Sequence, residues 1–331
     1  MAKGIFVISL DFELAWGFHD SKKAAGPYKK NILGARLIVP KLLELFARYD
    51  IHVTWATVGA LGCESKTELI QLSNPDLVYT KNNHSLDKYI EQNVGHDEKD
   101  DPLHYANSLI DLIKNQANQR IATHTFSHFY LLDQTLANND FDQDLAAVKV
   151  IFPKVFTIVL PRNQVSAEGL KSLRQAGLRA YRGTQQNKCI LPLYRTRASG
   201  KQSTILRALK FMDYYLPLTG YYDYGLNELD GDGLLNIRAS SFLRPYLPML
   251  SFFEALKVKR IKQGMEQAAK NNTIYHLWWH PHNNGVNQKE NLALIETILK
   301  YYRELKQRYG MESMSMEELC ELSESKPRTS S

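Results

Sequence analysis

Lys3-Gly4-Ile5-Phe6-Val7-Ile8-Ser9-Leu10-Asp11-Phe12-Glu13 is the stretch whose reading decides the fold. A continuous apolar run with β-branched residues fits a strand buried on both faces, the kind found in parallel sheets covered by helices. It ends in two acids, and the alternation of a strand sends both to the same side of its carboxyl end. Acids in this position could instead mark a helix N-terminus, where they meet the positive end of the dipole. A buried strand that delivers both to one place can supply a metal ligand and a free base.

Working outward, the next segment that asks for a chemical reason is His124-Thr125-Phe126-Ser127-His128. Imidazoles at this spacing reach one ion from a helical turn or from a tight turn after a strand, and the preceding Arg120-Ile121-Ala122-Thr123 reads as a strand end. The flanking Ser and Thr offer hydrogen bonds that could orient the rings. The plain alternative is one packed and one exposed histidine on a helix.

The rest of the chain alternates strand and helix patterns. Apolar spacing predicts a helix over 33–49, with Pro40 as a kink or a start, and a strand over 51–58. Residues 63–119 are polar and acid-rich, with one persuasive helix at about 103–115, and read as an excursion over the mouth of the fold. Strands are expected at 155–160, at 179–182 and at 273–279, with helices at 140–152, 167–176, 252–271 and 289–309. Between 183 and 248 the pattern is weak; Asp230-Gly231-Asp232-Gly233 resembles part of a calcium loop but lacks its downstream Glu, so it reads as a turn. Each polar motif falls at a strand's carboxyl end, which points to an incomplete, distorted β/α barrel of seven strands. An open doubly wound sheet would also place residues there, but no glycine-rich phosphate loop follows the first strand. One domain over 1–320 with a disordered tail at 321–331 is expected.

The chain has 331 residues and a net charge of +6, with no basic run interleaved with aromatics, which argues against nucleic acid as a partner. Cys63, Cys189 and Cys320 are odd in number and widely separated, so a disulfide framework is not expected. The first apolar run is too short for a signal peptide and no later one could cross a bilayer, so a cytoplasmic protein is expected. Its 11% aromatic residues suit a cleft for an amphipathic ligand such as a sugar.

With Asp11-Phe12-Glu13, His124 to His128, Pro161-Arg162-Asn163-Gln164 and His280-Pro281-His282 in hand, the chain resembles the polysaccharide deacetylase family, carbohydrate esterase family 4. It is most similar to a bacterial branch associated with surface-polysaccharide biosynthesis. The resemblance implies a divalent metal, usually zinc, and hydrolysis of an acetyl group from an N-acetylated sugar or polysaccharide precursor. It implies Glu13, His124 and His128 as metal ligands, Asp11 as general base, Arg162 as the arginine holding that base, and His280 as the acid, with His282 as competitor. Trp16, Asn163 and His282 are then expected to contact substrate. Two departures stand out: Glu replaces the family's usual Asp at the metal, and the Asp-x-x-Asp-Trp signature is absent, with Tyr181-Arg182 in its region. An allantoinase-like amidohydrolase and a carbohydrate-binding barrel without turnover are the competing readings.

Overall fold

The computed structural model describes residues 3–21, 26–79, 84–133, 139–185, 209, 211–229 and 233–325. Its first strand, β1 (Ile5–Phe12), is buried along its whole length. Alternation sorts that strand into two environments. Phe6, Ile8, Leu10 and Phe12 enter the large core shared with the helices, whereas Ile5 and Val7 enter a second, smaller core. The second core also holds Ala56, Ala122, Val159, Ala180 and Ile237, one or two from each neighbouring strand region, so it is the inside of a curled sheet. Three alanines, Ala56, Ala122 and Ala180, stand on its strands, where facing strands leave little room.

The strands that follow are β2 (Val53–Thr57), the antiparallel ribbon β3 (Val78–Tyr79) and β4 (His84–Ser85), β5 (Gln119–Thr123), β6 (Thr157–Ile158), β7 (Ala180–Tyr181), β8 (Leu235–Asn236), β9 (Ser241–Phe242), β10 (Ile274–Trp279) and β11 (Glu312–Met314). The main sheet runs β8-β7-β6-β5-β2-β1-β10-β9, all pairs parallel, with β11 added beside the start of β1. It is an incomplete β/α barrel with eight strands on its path rather than the expected seven. The 183–248 region supplies the two that sequence reading missed, β8 and β9, each only two residues long. Asp230, Gly231 and Asp232 of the calcium-loop fragment lie outside the described residues.

Registers such as Leu10↔Trp279, Thr57↔Thr123 and Ile158↔Tyr181 bring the carboxyl ends of the strands to one level. The opposite end is closed by the helix Met316–Glu324, whose Met316, Leu319 and Cys320 enter the inner core. A capping box between Ser315 and Glu318 starts that helix, and Met316 N–H donates to Thr54 Oγ1 at 2.8 Å. It runs into the stretch expected to be disordered from 321, because its apolar face has the barrel floor to cover. Residues 326–331 lie outside the described residues.

The 63–119 excursion has no core of its own: Leu69, Tyr79, Ile90, Tyr105 and Ile110 belong to the large core cluster. Its helix expected from about 103 begins at Asn107. The preceding turn is held in another conformation by Asp101, which accepts from the N–H groups of Gly95 and Leu103 and faces His104 Nδ1 at 2.7 Å.

The helix Lys29–Tyr49 runs through Pro40 and packs against the segment after β10 with backbone touching backbone. A Cβ at Gly34 would sit 2.0 Å from the Gly285 carbonyl oxygen, and one at Gly285 would sit 2.0 Å from the Asn31 oxygen. This contact sets the height of the His280–Gly285 segment. Gly34→Ala is therefore expected to cost about 1–3 kcal/mol of stability, measured by urea denaturation; an unchanged midpoint would show that the segment yields freely.

Candidate metal centre

On the inner face of β1 the side chains change from Ile5 and Val7 to Ser9 and Asp11, and Glu13 follows just past the strand's end. Inner positions near the mouth are thus polar, and the two acids do share a side. The backbone turns sharply after Glu13, with Leu14 at φ 42°. Its carboxylate occupies space that only a glycine leaves open: a Cβ on Gly17 would lie 2.1 Å from Glu13 Oε1.

The two histidines come from a tight turn after β5, not from a helix. Thr125 and His128 take left-handed φ values of 64° and 58°, a strain that needs fixed partners. Asp144, on the helix Asp140–Ile151, supplies them by accepting from Phe126 N–H at 2.7 Å, Ser127 N–H at 2.9 Å and Ser127 Oγ at 2.6 Å. Thr125 Oγ1 donates to the His124 carbonyl and accepts from Phe129 N–H. Thr125 and Ser127 therefore shape the turn and leave the rings to other groups. His124 Nδ1 lies 2.7 Å from the Val159 carbonyl, which as acceptor fixes the proton there and leaves Nε2 as a lone pair.

That Nε2 lies 3.3 Å from Glu13 Oε2, and His128 Nε2 lies 3.0 Å from the same oxygen. One atom from each of Glu13, His124 and His128 falls within 4.8 Å of the others, and all three residues are buried. Burial opposes the Glu13 charge, but His280, His128 and the contacts from both ring nitrogens outweigh it and hold the carboxyl well below the usual range. Burial also pushes His128 down, favouring the neutral ring that a metal ion requires. Two imidazoles and one carboxylate with further positions open is a donor set suited to a catalytic divalent ion such as zinc.

Beside this cluster Asp11 is held in a two-point grip. Arg182 Nη1 and Nη2 donate to its Oδ1 and Oδ2 at 2.6 and 2.8 Å, with both residues buried. Burial would raise the Asp11 pKa; Arg182, with His124 and His280, lowers it below the usual carboxylate value. The arginine is itself fixed from below. Its Nη1 donates to Ser9 Oγ at 3.0 Å, and Ser9 Oγ lies 2.8 Å from His276 Nε2, with His276 Nδ1 facing the Arg238 carbonyl at 3.2 Å. Because the serine oxygen accepts from Arg182, its proton points to His276, and burial keeps that ring neutral by pushing its pKa to about 3. The Trp278 ring covers the guanidinium, with Cζ 4.1 Å from the ring centre.

The arginine expected to hold the base was Arg162, and the structure corrects this. Arg162 and Asn163 sit at φ 55° and 50° after β6, a turn that carries Arg162 away to Asp20, 2.5 Å from its Nη2, and over the Tyr130 ring at 3.8 Å. Asn163 accepts from Arg182 Nη2 at 3.2 Å, so it helps to hold the clamp. Trp16 is wholly buried, its Nε1–H donating to the His104 carbonyl, and it is a core residue without access to a ligand.

After β10, His280 Nε2 stands 3.7 Å from both Asp11 Oδ2 and Glu13 Oε1. Its orientation comes from residues that sequence reading did not single out. Tyr28 O–H donates to Asn283 Oδ1 at 2.6 Å, which turns the amide nitrogen toward His280 Nδ1 at 3.4 Å and leaves the ring's proton on Nε2, facing the two acids. His282 Nδ1 lies 3.8 Å from Glu13 Oε1; burial first, then His280, pushes its pKa to about 3.

No family model and no curated protein sequence matches the chain. Among solved structures, an assigned polysaccharide deacetylase from Mycobacterium smegmatis is similar over 100% of this chain and 95% of that one, with TM-score 0.60 and 12% identity. This chain has the polysaccharide deacetylase fold. The same fold is shared with an assigned polysaccharide deacetylase from Pseudomonas aeruginosa PAO1 and with Puue allantoinase, each with TM-score 0.54 and 10% identity over 97% of this chain and 90% of the other. At such identities the likeness concerns architecture, and one deacetylase fold serves more than one reaction.

The packing of Gly17 against Glu13 makes a sharp expectation. Gly17→Ala should displace the carboxylate and weaken zinc binding roughly 10–100-fold, the scale seen when groups that orient a ligand are lost, as read by competition with a chromogenic chelator. Parent-like affinity would show that the carboxylate is not placed by this contact.

Proposed function

We propose that the protein is a metal-dependent hydrolase that removes an acetyl group from an N-acetylated sugar or polysaccharide precursor. The observation that carries this is one buried cluster in which Glu13, His124 and His128 converge while Asp11 and His280 stand beside it without joining it. Glu13 Oε2 and the two Nε2 atoms would hold the ion. When bound, a divalent ion supplies a hydrolytic water whose pKa falls from about 15.7 to about 7.

The chain's own residues then divide the proton work. Asp11, kept ionised and aimed by Arg182, takes the proton from the attacking water at Oδ2, the oxygen nearest His280. An amide nitrogen leaves only when protonated, and His280 holds a proton on Nε2 facing the same place, on a ring still reached by solvent. His282, neutral and sealed, is better suited to shaping the site than to donating. A barrel that only bound carbohydrate would have no use for a clamped base opposite an oriented acid.

The allantoinase-like reading keeps the same residues and changes the amide, and a panel of N-acetylated sugars and cyclic amides separates the two. With zinc restored, the parent should release acetate from an N-acetylated sugar and Glu13→Ala should lose both the ion and the activity. A parent that binds no divalent ion would end the proposal. Asp11→Asn should keep the ion and lose activity by about 10²–10⁴-fold.

The pH profile tests the clamp. A carboxyl with a lowered pKa stays ionised to lower pH, so the acid limb of kcat/KM should lie below the usual carboxylate range. Ser9→Ala loosens Arg182 and should raise that limb while lowering kcat about tenfold with the zinc content unchanged. A limb that does not move would remove Ser9 from the account.

A further inference from the structure

Among the described residues no helix is long and apolar enough to cross a membrane, yet one side of the barrel mouth is strongly apolar. Most of the large apolar side chains that stand exposed fall in two segments, 211–218 and 247–256. The second contains the short helix Pro248–Phe253, in which no residue is buried, and there Met249 and Phe252 are 94% and 91% exposed. Tyr215 and Phe253 bring the segments together with ring centres 5.9 Å apart, and Arg244 lies over Phe211 and Tyr214 at 4.8 and 4.5 Å.

This patch adjoins the opening of the site. Phe242, the last residue of β9, contacts His280 at 6.0 Å on one side and Tyr214 at 6.1 Å on the other. Its charge is one-sided. From Phe242 to Met265 the chain carries five cations and one acid; Lys257 is buried against Glu254 at 2.6 Å and Arg260 against Asp213 at 3.1 Å, which leaves Arg244, Lys259 and Lys262 as the positive groups of this rim. No charged residue interrupts 245–253.

We propose that this rim docks on an anionic lipid surface, with Met249 and Phe252 entering the acyl boundary and the following basic helix facing the headgroups. A projecting turn with two nearly free side chains would need a matching pocket on a rigid protein partner. A fluid acyl layer needs none, and the flanking cations complement phosphate headgroups. The proposal does not depend on the chemistry at the metal centre.

The test uses the full chain and sucrose-loaded vesicles, of phosphatidylcholine alone or mixed with phosphatidylglycerol, sedimented at low and high salt. Binding to the mixed vesicles is expected, about tenfold weaker on the neutral ones, at high salt and for Lys259→Glu. The double variant Met249→Ser, Phe252→Ser should bind neither kind while keeping the parent's unfolding midpoint, since both side chains are free in the fold. Failure of the parent to bind vesicles, or equal binding by the double variant, overturns the proposal. So does a dimer that the double variant dissociates, which would make the patch a contact between copies.

Discussion

The paired charges of Arg182 and Asp11 are the constraint on which the rest of the mouth depends. Removed from water, either would be costly alone, and a buried ion pair holds only when geometry is good and the remaining protons have acceptors. Here the Nη protons do: two bonds between the partners, Ser9 and Asn163 for the arginine, and Trp278 over its face, while Arg182 Nε alone of the guanidinium nitrogens has no acceptor. These residues come from β1, from the turn after β6, from the end of β7 and from β10, so one electrostatic knot ties together strand ends that are distant in sequence. The same knot aims the carboxylate that chemistry would use.

Around it the backbone is held where L-residues rarely rest. Leu14, Thr125, His128, Arg162 and Asn163 all have positive φ, and all lie at the mouth. Each such position costs on the order of 1–3 kcal/mol and persists only because the surroundings over-determine it. The Asp144 carboxylate does so for the histidine turn: burial lifts its pKa to about 6 while three donors from the turn oppose that rise. The large apolar core behind the sheet is what makes such local expense tolerable.

Much of this arrangement was legible from residues alone, because long elements carry long patterns. The β1 and β10 runs and the helices over 29–49 and 288–309 announce themselves by periodicity, and the convergence of Glu13, His124 and His128 could be anticipated because the three carry donor atoms just past strand ends. What escaped was short or decided by contact. β8 and β9 are too brief for any alternation to show. Arg162 and Arg182 are equivalent as letters, and only the left-handed turn after β6 sends the first outward and leaves the inner place to the second. Trp16 beside the acids suggested a sugar platform, but the His104 carbonyl gives its ring nitrogen a partner inside the core. Gly17 and Asn283 had no signal beyond a small residue and an amide, since their roles are a clearance and a hydrogen-bond direction.

The helix Met316–Glu324 lies across the far end of the barrel, filling it with Met316, Leu319 and Cys320. Among the described residues the base of the barrel is thus filled by side chains, and the end where the strands' carboxyl termini gather is left as the side of approach. A compound that reaches Glu13 and Asp11 from that side would pass the rim formed by the strand ends before it meets either acid.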